Sequence, residues 1–184
     1  SKTSLVNLIP RLYDVKSGFV KVGGVDVRDY DLETLRNEVA MVLQKNVLFS
    51  GTIKENIRWG DENAPDEEVE RVCKLAQADE FIQGFDKKYD TYIEQGGTNV
   101  SGGQKQRLAI ARAILYDGDI YIFDEATSNV DVDSEENIIN IIKEISKTKT
   151  VILISHRLYN CRFSDIIYFL KDGTIKEEGS HEEL

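Results

Sequence analysis

The most informative segment of the sequence is Val100-Ser101-Gly102-Gly103-Gln104-Lys105-Gln106-Arg107-Leu108, because it joins a loop to a helix in a way that suits anion binding. Two glycines let the backbone come close to a phosphate without a Cβ in the way. Ser101 can cap the helix that follows and donate a hydrogen bond to the same phosphate. A Ser-Gly-Gly turn that only starts a helix is the alternative, and the neighbouring segments must decide between the two.

Downstream, the residues from Ile120 to Phe123 are all apolar, and Asp124 and Glu125 follow directly. Such a run is typical of a central strand covered on both faces. A carboxylate at the carboxyl end of that strand lies where α/β sheets bind ligands. Asp124 can hold Mg²⁺ directly or through water, and Glu125 can act as a general base on an attacking water. A strand that simply ends in solvated acids explains these two residues equally well.

Upstream, the chain starts with Ser1-Lys2-Thr3-Ser4. A phosphate-binding loop needs amides at a helix N-terminus, a lysine for the β- and γ-phosphates and a hydroxyl on Mg²⁺. Lys2 and Thr3 provide the last two groups in that order, but the glycines that usually precede them are absent. Taken alone, these residues fit a solvated N-terminal lysine better.

The wider pattern predicts an α/β fold, because strand-like and helical segments alternate. We expect a mainly parallel sheet flanked by helices, an antiparallel C-terminal hairpin, and a helical subdomain over residues 51–115. An apolar stripe of Leu5, Ile9 and Leu12 predicts a helix at the start of the chain. The other main predicted elements are strands over residues 39–43, 120–123 and 150–154, a helix over 132–146, and hairpin strands over 166–170 and 174–177.

These segments together resemble the nucleotide-binding domain of ABC transporters, a P-loop NTPase. Residues 100–104 resemble the ABC signature sequence, with valine in place of the usual leucine, and residues 1–4 resemble the end of the Walker A loop. Asp124 and Glu125 match the end of the Walker B strand. Three further segments match family motifs and occur in the family's order along the chain. Gln44 matches the Q-loop glutamine, residues 128–131 match the D-loop, and His156 matches the switch histidine.

The resemblance implies ATP and Mg²⁺ as ligands and assigns the site residue by residue. Catalysis would fall to Glu125, His156 and Gln44. Mg²⁺ would be held by Thr3, Gln44 and Asp124. ATP would be contacted by Ser1, Lys2, Thr3, Ser4, Ser101, Gly102, Gly103, Gln104 and Asp131.

Residues 46–57 look like the segment that follows the Q-loop in exporters, often of the bacterial multidrug type. The resemblance implies a domain that powers export through ATP-dependent dimerisation at the cytoplasmic face of the cell membrane. Its partners would be a second nucleotide-binding domain, identical or different, and the transmembrane domains of the same transporter. Phe49 is either an apolar contact for those domains or an ordinary core residue.

The resemblance also implies that residues 1–184 are one ABC ATPase domain lacking its N-terminal strands, and that this fragment alone is weak or inactive. Composition adds exclusions: a formal net charge of −10 argues against nucleic acid as the main partner. No apolar run reaches about 18 residues, and Cys73 and Cys161 form no disulfide or metal pattern. Two alternatives stay open, a soluble ABC ATPase of the DNA-repair or translation type and a non-catalytic nucleotide-binding module.

Overall fold

The computed structural model describes residues 2–184, and it confirms the predicted α/β fold. Within that range the strands are β1 (Lys21–Val22), β2 (Val25–Asp26), β3 (Val39–Val42), β4 (Gly51–Thr52), β5 (Tyr92–Ile93), β6 (Ile120–Asp124), β7 (Thr150–Ile154), β8 (Ile167–Lys171) and β9 (Thr174–Gly179). The α-helices are α1 (Lys2–Val6), α2 (Leu32–Asn37), α3 (Ile53–Ile57), α4 (Asp66–Leu75), α5 (Asp79–Gln83), α6 (Gly102–Tyr116), α7 (Val132–Ser146) and α8 (Leu158–Cys161). Short 3-10 helices occupy Val27–Asp29, Lys88–Asp90 and Gln95–Gly97.

The central sheet contains β3, β6 and β7, all parallel, with β6 in the middle. Val42 pairs with Phe123 at one interface, and Asp124 pairs with Ile154 at the other. Because the strands are parallel, their carboxyl ends share one edge of the sheet, where open α/β sheets bind ligands. The residues that follow the three strands therefore come out at this edge: Gln44, Glu125 and His156.

Both faces of the sheet are covered, which explains the continuous apolar run in β6. On one face, Val6 of α1 packs with Val39, Ile122 and Ile154 in a small core. The alternate residues point to the opposite face, where Phe123 belongs to the main core with α6 and α7. Side chains this large contribute about 1.5–3 kcal/mol each when fully buried, so the two cores hold the strand ends in place.

The region between β3 and β6 is largely helical and packs against the main core through α6. A capping box at Thr52 and Glu55 starts α3, and three acidic residues stabilise the first turn of α4. The apolar side chains that join these helices are 0–1% exposed: Ile53, Ile57, Val69, Val72, Ile82, Leu108 and Ile110. This packing places α6, which begins at Gly102 inside the segment 100–108, on the same core as β6.

At the C-terminus, β8 and β9 form the predicted antiparallel hairpin. At the N-terminus the predicted helix is shorter than the stripe of Leu5, Ile9 and Leu12, because α1 ends at Val6; Ile9 packs against the small core, and Leu5 and Leu12 are each 48% exposed. The side chain that α1 buries is Val6, since the helix ends there and only its inner face meets the sheet. Across residues 2–184 we find no helix with the length and apolar character to cross a bilayer.

Candidate functional site

Glu125 and His156 meet directly at the carboxyl edge of the central sheet. Glu125 follows β6 and His156 follows the adjacent β7, and the backbone N–H of Glu125 still donates to the Ile154 carbonyl at 3.0 Å. His156 Nε2 lies 2.7 Å from Glu125 Oε1, within hydrogen-bonding distance. The pair has the types and spacing of a general base oriented by a second group.

Asp124, one residue earlier, is a nearly buried carboxylate, with 6% of the residue exposed. Among residues 2–184 no donor or cation contacts its carboxylate. Its oxygens are not among the fully buried atoms without a partner in residues 2–184, so they remain open to a ligand that approaches from solvent. Oxygen donors of this kind suit Mg²⁺, so the residue fits the metal that the sequence predicts.

Gln44 follows β3 and is exposed at the same edge of the sheet. Two side chains hold the loop around it. Asn46 Nδ2 donates to the Leu43 carbonyl at 2.7 Å, and the buried Gln106 of α6 donates to that carbonyl at 3.2 Å. The loop that carries Gln44 is therefore bonded to α6, the helix that starts within the signature-like segment.

Lys2, Thr3 and Ser4 form the first turn of α1, and Ser1 lies outside the described residues. Burial raises the pKa of the Cys161 thiol, and the positive charge of Lys2 opposes part of that rise. Lys2 is the first residue of α1, the helix whose Val6 packs on Ile122 and Ile154 of the central sheet.

Ser101 is the N-cap of α6, as the sequence predicts. Its Oγ accepts a hydrogen bond from the Gln104 backbone N–H at 3.2 Å, and the Gln104 side chain accepts one from the Ser101 N–H at 3.0 Å. This capping box fixes the turn, and the Gln104 side-chain oxygen is already bonded to the Ser101 N–H within it. The Ser101 hydroxyl accepts in that bond, so its hydrogen is available for donation to a ligand.

The two glycines after Ser101 have different surroundings. Gly102 is exposed, and a Cβ there would lie 3.2 Å from the Asn129 carbonyl. Gly103 is buried, and a Cβ there would lie 2.4 Å from Ser134 Oγ and 2.8 Å from Ser134 Cβ. Close packing on α7 is thus one reason for a glycine at 103, besides the phosphate contact that the sequence suggests.

Asp131 is the N-cap of α7, and its carboxylate accepts bonds from the Ser134 N–H at 2.9 Å and the Ser134 hydroxyl at 2.8 Å. These bonds, the backbone one first, lower the pKa of Asp131 below its ordinary value. The residue therefore has a structural role on this chain in addition to any contact with a nucleotide.

The backbone at Glu125 adopts the left-handed conformation, with φ 54. Such a conformation is unfavourable for a residue with a Cβ and occurs often at functional sites. The Ser128 N–H and hydroxyl both donate to the Glu125 carbonyl, at 3.0 and 2.8 Å, and so hold the turn. These bonds fix the backbone of the residue whose carboxylate contacts His156.

Sequence reasoning missed one polar cluster beside the pair. Glu135 of α7 bonds with Arg157 and Asn160, and Asn160 also contacts Thr127. One signal was available: Glu135 occupies the same helical stripe as the apolar Ile138 and Ile142, where a charged residue requires a partner.

Comparisons with known proteins were made for the sequence and for the fold. The family model described as ABC transporter matches residues 2–128. An ATP-dependent lipid A-core flippase of Desulfotalea psychrophila is 43% identical over 183 residues, and YgaD of Bacillus subtilis, an ATP-binding/permease protein named for multidrug export, is 45% identical. Both cover 100% of the chain. The structure of a bacterial Atm1-family ABC exporter with ATP bound covers 99% of it, with a TM-score of 0.93 and 36% identity. The chain spans 32% of the length of each of these proteins.

Proposed function

The chain belongs to the ABC transporter family, and from this premise we propose that it is the ATP-binding and ATP-hydrolysing domain that powers an exporter. The observation that carries the proposal is the 2.7 Å hydrogen bond between His156 and Glu125, beside the unpaired and nearly buried Asp124. A non-catalytic nucleotide-binding module has no need of a general base held in this way. The arrangement favours hydrolysis.

Each group at the carboxyl edge has a distinct task in this proposal. Lys2 neutralises phosphate charge, and the first turn of α1 presents its backbone N–H groups to the same phosphates. Glu125 accepts the proton of the attacking water while His156 orients the carboxylate and contacts the γ-phosphate. Mg²⁺ would be held by Asp124, Thr3 and Gln44, and it would neutralise charge on the phosphate oxygens.

Ser101 and the first turn of α6 complete a second copy's site in this proposal. Gly102 and Gly103 lie against Asn129 and Ser134, at the start of α7. In the family that the chain resembles, this turn serves the site of a neighbouring copy, and we extend that arrangement to this protein. Two domains would then lie head to tail, and ATP would hold the dimer closed until hydrolysis.

A pair of exposed aromatic side chains supports a membrane partner. Phe49 is 40% exposed, which excludes the core role that the sequence left open, and it stacks on the 64% exposed Trp59. Their ring centroids are 4.4 Å apart at an interplanar angle of 27°. Exposed aromatic rings are typical of an interface, and we assign this pair to contacts with the transmembrane domains at the cytoplasmic face of the membrane.

The proposal is tested with Glu125→Gln in the full-length protein that contains this chain. The substitution keeps the size and the backbone requirement of Glu125 but removes the base. We expect steady-state phosphate release to fall on the order of 10²-fold or more, with binding of a fluorescent ATP analogue retained. Glu136→Gln is the matched control, since Glu136 is an exposed residue of α7, and it should hydrolyse ATP at the wild-type rate. Wild-type turnover by Glu125→Gln would remove Glu125 from the role of base.

A further inference from the structure

The contact between His156 and Glu125 needs support from elsewhere in the chain. The His156 side chain is 69% exposed and that of Glu125 is 23% exposed. A hydrogen bond so close to water adds little rigidity, because water competes for both groups. The position of His156 must therefore depend on how the segment that carries it is anchored. We call residues 155–160 the switch segment.

Glu135 provides two such anchors. It lies in the first turn of α7 and is 8% exposed. Its Oε1 accepts a hydrogen bond from Asn160 Nδ2 at 2.7 Å, and its Oε2 pairs with the Arg157 guanidinium. Both partners belong to the switch segment, and Arg157 directly follows His156. A buried carboxylate is tolerated only with such partners, so the switch segment and α7 hold each other.

The same cluster reaches the segment after Glu125. Asn160 Nδ2 lies 3.3 Å from Thr127 Oγ1, and both residues are buried. Thr127 is two residues from Glu125 in the chain. The cluster therefore connects the loops that carry His156 and Glu125 through side chains that are closed to water.

The start of α7 also touches the signature helix. Ser134, the neighbour of Glu135, packs against Gly103 so closely that a Cβ would lie 2.4 Å from its hydroxyl oxygen. A displacement of the first turn of α6 would therefore be passed to the first turn of α7, and Glu135 is part of that turn. The switch segment would follow through Arg157 and Asn160.

We propose that Glu135 is a positioning residue that holds His156 against Glu125 by anchoring Arg157 and Asn160 of the switch segment to α7. This inference rests on the proposed function, since it concerns the hydrolysis step. Glu135 acts only through the switch segment and has no part in ATP binding.

The first test is Glu135→Gln in the full-length protein. Glutamine can still accept from Asn160, but it loses the charge that holds Arg157. Because small displacements of catalytic groups reduce rates strongly, we expect kcat to fall by about tenfold. The KM for MgATP should change by less than about twofold. Glu136→Gln makes the same change of charge at an exposed position of the same helix and should leave both constants unchanged.

A double-mutant cycle separates positioning from a general loss of structure. When His156→Ala has already removed the histidine, Glu135→Gln should lower kcat by less than about twofold further. A purely structural role would lower kcat by the same factor in both backgrounds. If Glu135→Gln does not fold, Arg157→Gln replaces it, because the Arg157 side chain is 62% exposed and its loss opens no cavity.

The outcomes of the two proposals are distinguishable. A full-length protein without ATPase activity, or one that keeps its activity in Glu125→Gln, would overturn the proposed function. An active protein that loses activity in Glu125→Gln but not in Glu135→Gln and Arg157→Gln would overturn the positioning role alone. Additive effects with His156→Ala would overturn it as well.

Discussion

Gly103 is the position where the structure makes the most specific stability prediction. A Cβ at Gly103 would lie 2.4 Å from Ser134 Oγ and 2.8 Å from Ser134 Cβ, both far inside normal contact. Ser134 cannot turn away without cost, because it is buried and its hydroxyl donates to Asp131 at 2.8 Å. Gly103→Ala must therefore push α6 and α7 apart.

The expected size follows from two opposing effects. Overpacking of a tight contact costs about 1–3 kcal/mol. Alanine is better than glycine inside a helix by about 0.5–1 kcal/mol, which offsets part of that cost. We expect Gly103→Ala to reduce the free energy of unfolding by about 1–2 kcal/mol. Gly102→Ala places an exposed Cβ 3.2 Å from the Asn129 carbonyl, and it should change the free energy of unfolding by less than about 0.5 kcal/mol.

The measurement is equilibrium urea denaturation of the chain, followed by far-UV circular dichroism. Ser134→Gly removes both clashing atoms, so Gly103→Ala should cost nothing further when Ser134 is already glycine. If Gly103→Ala proves as stable as the wild type, or if Gly102→Ala is equally harmful, the contact with Ser134 does not control this position. A full cost in the Ser134→Gly background would lead to the same conclusion.

Two more predictions concern titratable groups. Burial raises the pKa of the Cys73 thiol to about 12, so iodoacetamide at pH 8 should label the half-buried Cys161 first and Cys73 only after denaturation. Mass spectrometry of the labelled peptides measures this order. Early labelling of Cys73 would contradict the packing of α4. The pKa of Asp131 is lowered on folding, so its capping bonds stabilise the protein at neutral pH and this contribution is lost as the pH falls below the ordinary aspartate value of about 4. Asp131→Ala should therefore lower the urea midpoint at pH 7 but by less at pH 3, and an equal loss at both values would show that the charge of Asp131 does not contribute.

Much of the fold could be predicted because its signals are local. The structure confirms the predicted bounds of α7 and β7, Val132–Ser146 and Thr150–Ile154. In α7 the apolar residues recur with the helical period, and β7 is a continuous apolar run between polar residues. The stripe of Leu5, Ile9 and Leu12 extends beyond the observed α1, which ends at Val6, because a periodic pattern does not show where a short helix stops.

The site was predictable only in part. Residue types and chain order placed Glu125 and His156 at the ends of strands, and parallel pairing then brought them together. The contact of Gly103 with Ser134 depends on how two helices pack, and no local pattern encodes that distance. The anchoring of Arg157 by Glu135 joins positions far apart in the sequence, so it needed coordinates.

The left-handed backbone at Glu125 has a consequence for protein engineering. A side chain with a Cβ pays roughly 1–2 kcal/mol for this conformation, whereas glycine does not. A screen that ranks variants by expression or heat resistance alone would thus reward the removal of this glutamate. Stability and catalytic activity are in conflict at this residue, so a selection scheme for the protein has to measure both.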